Sequence, residues 1–323
     1  MKLTLRTLAD QVQTEGDAYA FLEDLRWHGN PVCAHCGHDK AYFLTPKNGT
    51  TRATGPNRTM SPRRVWKCAK CRRQFSVLTN TVFHGTKVSI RSWLMVMVQM
   101  CAAKNGISAR EIERMHDVTP ETAWYMLHRL RESMRRDPLA GMLQGVIVAD
   151  ETYIGGKEKN KHASRRDSHA MGRGTHQVPV LSLVERESGE VRSRVLPRVT
   201  GANLEQALKE DVIAERSVLH TDGLPTYRRP GRAFIEHSRV DHEAGEYVSP
   251  TGATTNHVEG FFSQLKRSID GTHHHVSVEH LPRYLDQFDF MYSTRKLSDS
   301  ARMERMIGQA GGRRLSYKPL TGQ

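Results

Sequence analysis

Three carboxylates and four thiols carry the chemistry that this sequence can do. Asp150 and Glu151 end the apolar run 145–149, which has the β-branched composition of a strand. Asp222 ends a second such run, 217–220. Glu259 lies in a helix predicted from Thr255 to about Ile269, in which Val258, Phe261, Phe262, Leu265 and Ile269 recur at helical spacing. That stripe packs on a sheet, while Asn256, Glu259, Ser263 and Lys266 form a second stripe beside it. Carboxylates from two strand ends and one helix make an all-oxygen donor set suited to hard divalent cations, Mg²⁺ or Mn²⁺. Two such cations held together activate a water or a 3′-hydroxyl and stabilise the leaving oxygen at phosphorus. Lys266, two turns beyond Glu259, is placed for a DNA phosphate. A strand-end aspartate alone is commonly a turn former, so the argument rests on the three together.

The cysteines form two C-x-x-C pairs, Cys33–Cys36 and Cys68–Cys71, separated by 31 residues. Each pair folds as a tight knuckle that aims two thiolates at one metal, and two knuckles make a closed tetrahedral Zn²⁺ site with no open position for catalysis. A redox pair is the weaker reading, because one C-x-x-C suffices for it and no βαβ pattern surrounds either. The fifth cysteine, Cys101, sits in an apolar run as a small core residue. Around the second knuckle Arg63, Arg64, Lys67, Lys70, Arg72 and Arg73 crowd together with no acid among them, and beside a zinc ribbon such a cluster suits phosphate contact.

The elements that must position these groups follow from caps and periodicity. Ser89 opens a helix from Ile90 to about Ala103, ended by Asn105-Gly106. Ser108 with Glu111 reads as a capping box for a short helix to about His116. Thr119-Pro120 supplies an N-cap and a proline at the first helical position for a helix to about Arg135. Helix, short turn, helix is the outline of a helix-turn-helix DNA reader, with Thr122, Tyr125 and Arg129 on faces available to DNA and Ala123, Met126, Leu127 and Leu130 as the core stripe. A plain helical linker is the alternative. Beyond it, runs 178–184 and 190–199 read as strands joined near Ser188-Gly189, 203–212 as a helix, and the polar stretch 157–176 as a loop.

With 48 Lys and Arg against 35 Asp and Glu, the net charge of the 323-residue chain is +13, and its pI is about 9.7. That excess points to a polyanion, nucleic acid before an acidic membrane surface, since no strongly basic amphipathic helix supports the latter. Hydrophobic residues make up 37% of the chain, and no run of eighteen apolar residues exists to span a bilayer. The N-terminus lacks an apolar signal region, so the expectation is a cytoplasmic, nucleoid-associated protein.

Taken together, the sequence resembles insertion-sequence transposases of the IS1595 type, the ISXO2-like group. The residues that carry this are both C-x-x-C pairs with Arg72-Arg73-Gln74-Phe75, Thr81-Val82-Phe83-His84, Thr122-Ala123-Trp124, the stretches 149–157 and 221–223, the stretch 256–266, and His274-His275-Val276-Ser277 with Leu281, Arg283, Tyr284 and Leu285. The resemblance implies an RNase H-like catalytic fold with an acidic D-D-E/N site that cuts and rejoins DNA at element ends. Asp150 and Asp222 match its first two positions. For the third, Glu259, 37 residues beyond Asp222, is favoured over Asn256 because a carboxylate binds Mg²⁺ better than an amide. The expected organisation is a multidomain α/β protein: zinc ribbon 16–85, helix-turn-helix 86–138, catalytic domain 143–300 and a basic tail 301–323. Structural zinc, catalytic Mg²⁺ or Mn²⁺, double-stranded DNA as partner and a homo-oligomer assembled on DNA complete the expectation. A catalytically inactive DNA-binding descendant and a nuclease that does not join strands are the alternatives.

Overall fold

A computed structural model describes residues 3–44, 64–137, 140–155, 177–241, 245, 248–249 and 252–321. The chain divides into two compact units, Met1–Met134 with Leu297–Gln323, and Arg135–Lys296.

In the first unit, three short strands, β1 (Ala41–Phe43), β2 (Trp66–Cys68) and β3 (Gln74–Phe75), form an antiparallel sheet in the order β1-β2-β3. The two cysteine knuckles are built alike. Cys33 N–H donates to His38 O and Cys68 N–H to Arg73 O, at 2.9 and 3.0 Å. Gly37 and Arg72, one residue after each second cysteine, both turn through positive φ, +71° and +62°. Glycine takes that conformation without strain, and at Arg72 the knuckle imposes it.

The ribbon is fastened to α2 (Glu15–Trp27), whose Trp27 packs edge-on against Trp66 and Phe75. Glu23 of α2 accepts from Trp66 Nε1 at 2.9 Å and from Arg64 Nε at 2.8 Å. The same unit holds α1 (Leu5–Gln11), α3 (Ile90–Ala102), α4 (Ala109–His116) and α5 (Pro120–Met134). Ser89 caps α3, and Ser108 with Glu111 makes the capping box of α4, as their sequence patterns predict. Glu15 adds a second cap to α3, accepting from the N–H groups of Ile90 and Arg91.

The stretch 301–323, set apart in sequence as a basic tail, falls within the first unit and carries most of α9 (Asp299–Gly308) and α10 (Tyr317–Thr321). Met303, Met306 and Ile307 of α9 are buried, and its Arg302 guanidinium donates to Cys101 O.

The second unit is a five-stranded sheet in the order β6-β5-β4-β7-β8, formed by β4 (Leu143–Ile154), β5 (Val178–Glu185), β6 (Val191–Val195), β7 (Val212–Asp222) and β8 (Glu236–Val240). β4, β5 and β6 run antiparallel in succession, whereas β7 lies parallel to β4 and β8 parallel to β7. Sheet alternation sorts the side chains. Ile147, Ala149, Leu181, Leu183 and Leu219 join Leu204 and Leu208 of α6 (Gly201–Asp211) on one face. Val148, Val180 and Val184 meet Val258, Phe261, Phe262 and Leu265 of α7 (Asn256–Ser268), with Leu285 and Phe288 of α8 (Leu281–Ser293), on the other. The strand order, the strand directions and the helices on both faces are the RNase H-like α/β arrangement that the resemblance implies.

Candidate functional site

Register brings two of the acids together. The parallel β4–β7 pairing runs to Val148 opposite His220. Asp150 and Asp222 each lie two residues further along, on the side of the sheet that α7 covers. β4 does not end at Asp150, as the sequence pattern suggests. It continues beside β5 to Ile154, so Asp150 is held from one side by its pairing with Ser182. Its Oδ1 accepts from Glu151 N–H at 2.7 Å, and Asp222 Oδ1 accepts from Leu224 N–H at 3.0 Å.

The α7 stripe of Val258, Phe261, Phe262 and Leu265 is buried as its spacing predicts. Glu259 is therefore turned to the edge of the helix. The buried Thr255 hydroxyl donates to Glu259 Oε1 at 2.6 Å and fixes that carboxylate. Asn256 is exposed at the first position of α7, and Lys266 is exposed two turns beyond Glu259.

Electrostatics tie these groups to one another. Burial pushes the Asp150 carboxyl up to about 8, and the negative charges of Glu151, Asp222 and Glu259 add to that push. The three acids are not closed into a chelate. Among the described residues, the four cysteines are the group of metal-binding side chains gathered within 4.8 Å.

Sequence reasoning missed Tyr227. It is fully buried in the short 3₁₀ turn Pro225–Tyr227 that follows Asp222, and its hydroxyl donates to Glu151 Oε2 at 2.8 Å. Burial raises its phenol well above the ordinary value, helped by the charges of Glu151, Asp150 and Asp222. A lone tyrosine in a polar loop carries no spacing signal, so only the fold reveals it.

In the ribbon, Cys33 Sγ lies 3.6 Å from Cys71 Sγ and Cys36 Sγ 3.6 Å from Cys68 Sγ. A tetrahedral Zn²⁺ with Zn–S bonds of about 2.3 Å requires S–S edges of about 3.8 Å, so four thiolates at this separation fit zinc with little movement. Burial works against ionising Cys68, yet hydrogen bonds from the Cys71 and Lys70 N–H groups, and from the Cys36 and Cys71 thiols, bring it down to about 6.

The residues expected to meet DNA separate into groups. Lys70, Arg72 and Arg73 are exposed, and Lys67 is partly so. Arg64 pairs with the buried Glu23 and stacks on Phe43, which fastens the ribbon to α2. Arg63 lies outside the described residues, as do the loop 157–176 and most of the segment between the knuckles.

Helix α5 differs more from its expectation. Arg129 is 3% exposed, donates to His84 O and lies over the Trp93 and Tyr125 rings. Tyr125 donates to Leu315 O and packs against Tyr317. Both are packing residues of the first unit, because α5 is buried almost throughout beyond its first turn. Thr122, in that first turn, is partly exposed.

The comparisons with known proteins agree with this picture. Residues 142–293 match the ISXO2-like transposase domain of the IS1595 type, and residues 13–74 match the transposase zinc-ribbon domain of the same type. The class is thus that of transposases, DNA-processing enzymes. The two matches span about two thirds of the chain, which belongs to the IS1595 family. Its four clustered cysteines are the structural zinc site of that ribbon.

No curated protein matches. Among solved structures, the catalytic core domain of BIV integrase is 16% identical, with 44% of this chain and 80% of that one covered and a TM-score of 0.29. A chain of the simian T-cell lymphotropic virus intasome, solved in complex with the PP2A regulatory subunit B56 gamma, is 15% identical. There 55% of this chain and 63% of that one are covered, with a TM-score of 0.28. Among the described residues, no helix is long and apolar enough to cross a membrane.

Proposed function

We propose that the protein binds the ends of an insertion sequence and catalyses metal-dependent cleavage and strand transfer of double-stranded DNA, with Asp150, Asp222 and Glu259 as its DDE carboxylates. The observation that carries this reading is the placement of Asp150 and Asp222 just past the last β4–β7 pair, on the α7 side, where Glu259 acts electrostatically on Asp150. An all-oxygen set in which the neighbouring acids push the Asp150 carboxyl upward is suited to Mg²⁺ or Mn²⁺. When bound, such ions activate the attacking oxygen and stabilise the leaving one. The protein's own groups do the rest. Thr255 orients Glu259. Lys266 meets a DNA phosphate, and Lys67, Lys70, Arg72 and Arg73 hold the duplex by its backbone. The domain division 16–85, 86–138 and 143–300, assembly as a homo-oligomer on DNA and a place in the cytoplasm with the nucleoid belong to the same proposal.

Single Asp150→Ala, Asp222→Ala and Glu259→Ala variants test it. Each is expected to lose detectable cleavage and joining of element-end DNA while zinc content and end binding stay intact. Activity surviving Asp150→Ala overturns the mechanism. If Glu259→Ala retains activity and Asn256→Ala loses it, the third ligand is the amide at 256. Cleavage without joining in the unsubstituted protein makes it a nuclease. End binding with neither reaction makes it an inactive descendant.

A further inference from the structure

The backbone pairing of β4 with β7 stops at Val148 and His220, before it reaches either aspartate. Asp150 is still held by β5 on its other side, through its pairing with Ser182. Asp222, the last residue of β7, likewise pairs on its other side, with Val240 of β8, and the chain leaves the strand there into the turn Pro225–Tyr227. The separation of the two carboxylates, on which any shared cation depends, is therefore not set by β4–β7 rungs at their own level. Something other than those rungs ties the turn after Asp222 directly to β4.

One side-chain contact does so. Glu151 points to the opposite side of β4 from Asp150, because successive residues of a strand alternate faces. There its Oε2 accepts from the Tyr227 hydroxyl at 2.8 Å. Tyr227 is fully buried among Leu204, Leu208, Leu219 and Phe234, so its ring is immobilised and its hydroxyl is delivered to a fixed point. Tyr227 N–H in turn donates to Leu224 O, and Leu224 N–H donates to Asp222 Oδ1. Asp150 and Asp222 are thus linked through an unbroken chain: the peptide from Asp150 to Glu151, the Glu151–Tyr227 hydrogen bond, and the turn back to the Asp222 carboxylate.

We propose that the Tyr227–Glu151 hydrogen bond is a clasp that sets the spacing of Asp150 and Asp222, making Tyr227 a positioning residue for the divalent cation. This rests on the reading of Asp150 and Asp222 as metal-holding residues. Glu151 serves as the anchor of the clasp and not as a further ligand, since its carboxylate is engaged on the face away from Asp150. The partners that orient metal-ligating groups are worth about ten- to a hundredfold in metal affinity when removed.

The test is Mn²⁺ binding to the full-length, zinc-loaded protein, read from the free Mn²⁺ signal in electron paramagnetic resonance, with thermal melts alongside. Tyr227→Phe keeps the buried ring and removes only the hydroxyl, and it is expected to weaken Mn²⁺ binding about tenfold. Glu151→Gln keeps an oxygen that accepts from Tyr227 and is expected to bind near the unsubstituted level. Glu151→Ala is expected to match Tyr227→Phe, and the double variant Tyr227→Phe with Glu151→Ala to be no weaker than either alone. Unchanged Mn²⁺ affinity in Tyr227→Phe overturns the clasp, whether or not the melting temperature falls. A loss in Glu151→Gln equal to that in Glu151→Ala also overturns it, because Glu151 then acts as a ligand. Asp150→Ala in the same titration separates this from the underlying reading: if it binds Mn²⁺ like the unsubstituted protein, the metal site itself is wrong and the clasp falls with it.

Discussion

Lys266 stands exposed on α7, two turns from Glu259, beside the carboxylates but too far along the helix to share a cation with them. On the proposed reading, an ammonium there neutralises a phosphate of the bound strand. Removing a hydrogen bond to a charged group costs about 1.5–3 kcal/mol, about tenfold or more in rate. Lys266→Ala is therefore expected to slow strand transfer about tenfold or more while Mn²⁺ affinity holds. Equal loss of both would place the ammonium at the metal instead. Lys266 was legible in the sequence because helical periodicity alone puts it on the stripe of Glu259. Arg129 was not. It lies between His128 and Leu130 on α5 in a basic protein, and its position carries no sign of Trp93, Tyr125 and His84, which enclose it. Tyr227 was invisible for the same reason, its partner Glu151 lying 76 residues upstream.

Elements defined by local chemistry were read well. The caps at Ser89 and Ser108, the strand runs and the α7 stripe all depend on residues within a few positions of one another. β8 was not read, because its sequence Glu-His-Ser-Arg-Val lacks an apolar alternation, and it forms only as an edge strand beside β7. The packing of α8 against β6 was also unseen, and it holds a titratable group. Asp289 of α8 accepts from the N–H and the hydroxyl of Ser193 on β6, both at 2.6 Å, and Ser193 shares a further hydroxyl contact with Ser182. Burial raises the Asp289 carboxyl well above its ordinary value against the pull of those hydrogen bonds, and the charges of Asp286 and Asp211 add to the rise. The sign of the consequence follows from linkage. A carboxyl raised on folding contributes stability that is full below its unfolded value of about 3.9 and is lost as pH climbs through the folded value. Asp289→Asn cannot ionise and escapes that loss. Its melting temperature relative to the unsubstituted protein is expected to rise as pH climbs above that unfolded value. A difference that stays constant with pH would show that folding does not raise the Asp289 carboxyl.

At the scale of the whole molecule the chain runs through the first unit, builds the second entirely from Arg135 to Lys296, and then returns to finish the first. Sequence reading treats segments in order, so a stretch such as 301–323 reads as an appendage when its partners lie far upstream. Yet α9 supplies Met303, Met306 and Ile307 to the core of the first unit, and Arg302 donates to Cys101 O. Arg313 donates to Glu132 O of α5, and Leu315 O receives the Tyr125 hydroxyl. These contacts also explain why α5 offers so little surface to DNA. Each buried Met or Ile side chain contributes about 1.5–3 kcal/mol, so the three from α9 supply on the order of 5 kcal/mol, comparable to the net stability of a whole domain. A chain stopped after Lys296 is therefore expected to unfold its first unit at a markedly lower temperature, with the helices α3 and α5 exposed to proteolysis. The second unit, which ends at Lys296, is expected to keep its own melting transition, seen as a separate event by calorimetry. Supplying residues 297–323 as a separate peptide should restore the lost transition in part, since the binding surface is the vacated core. A truncated protein whose first unit melts as the full chain does would mean that α9 covers that core without stabilising it.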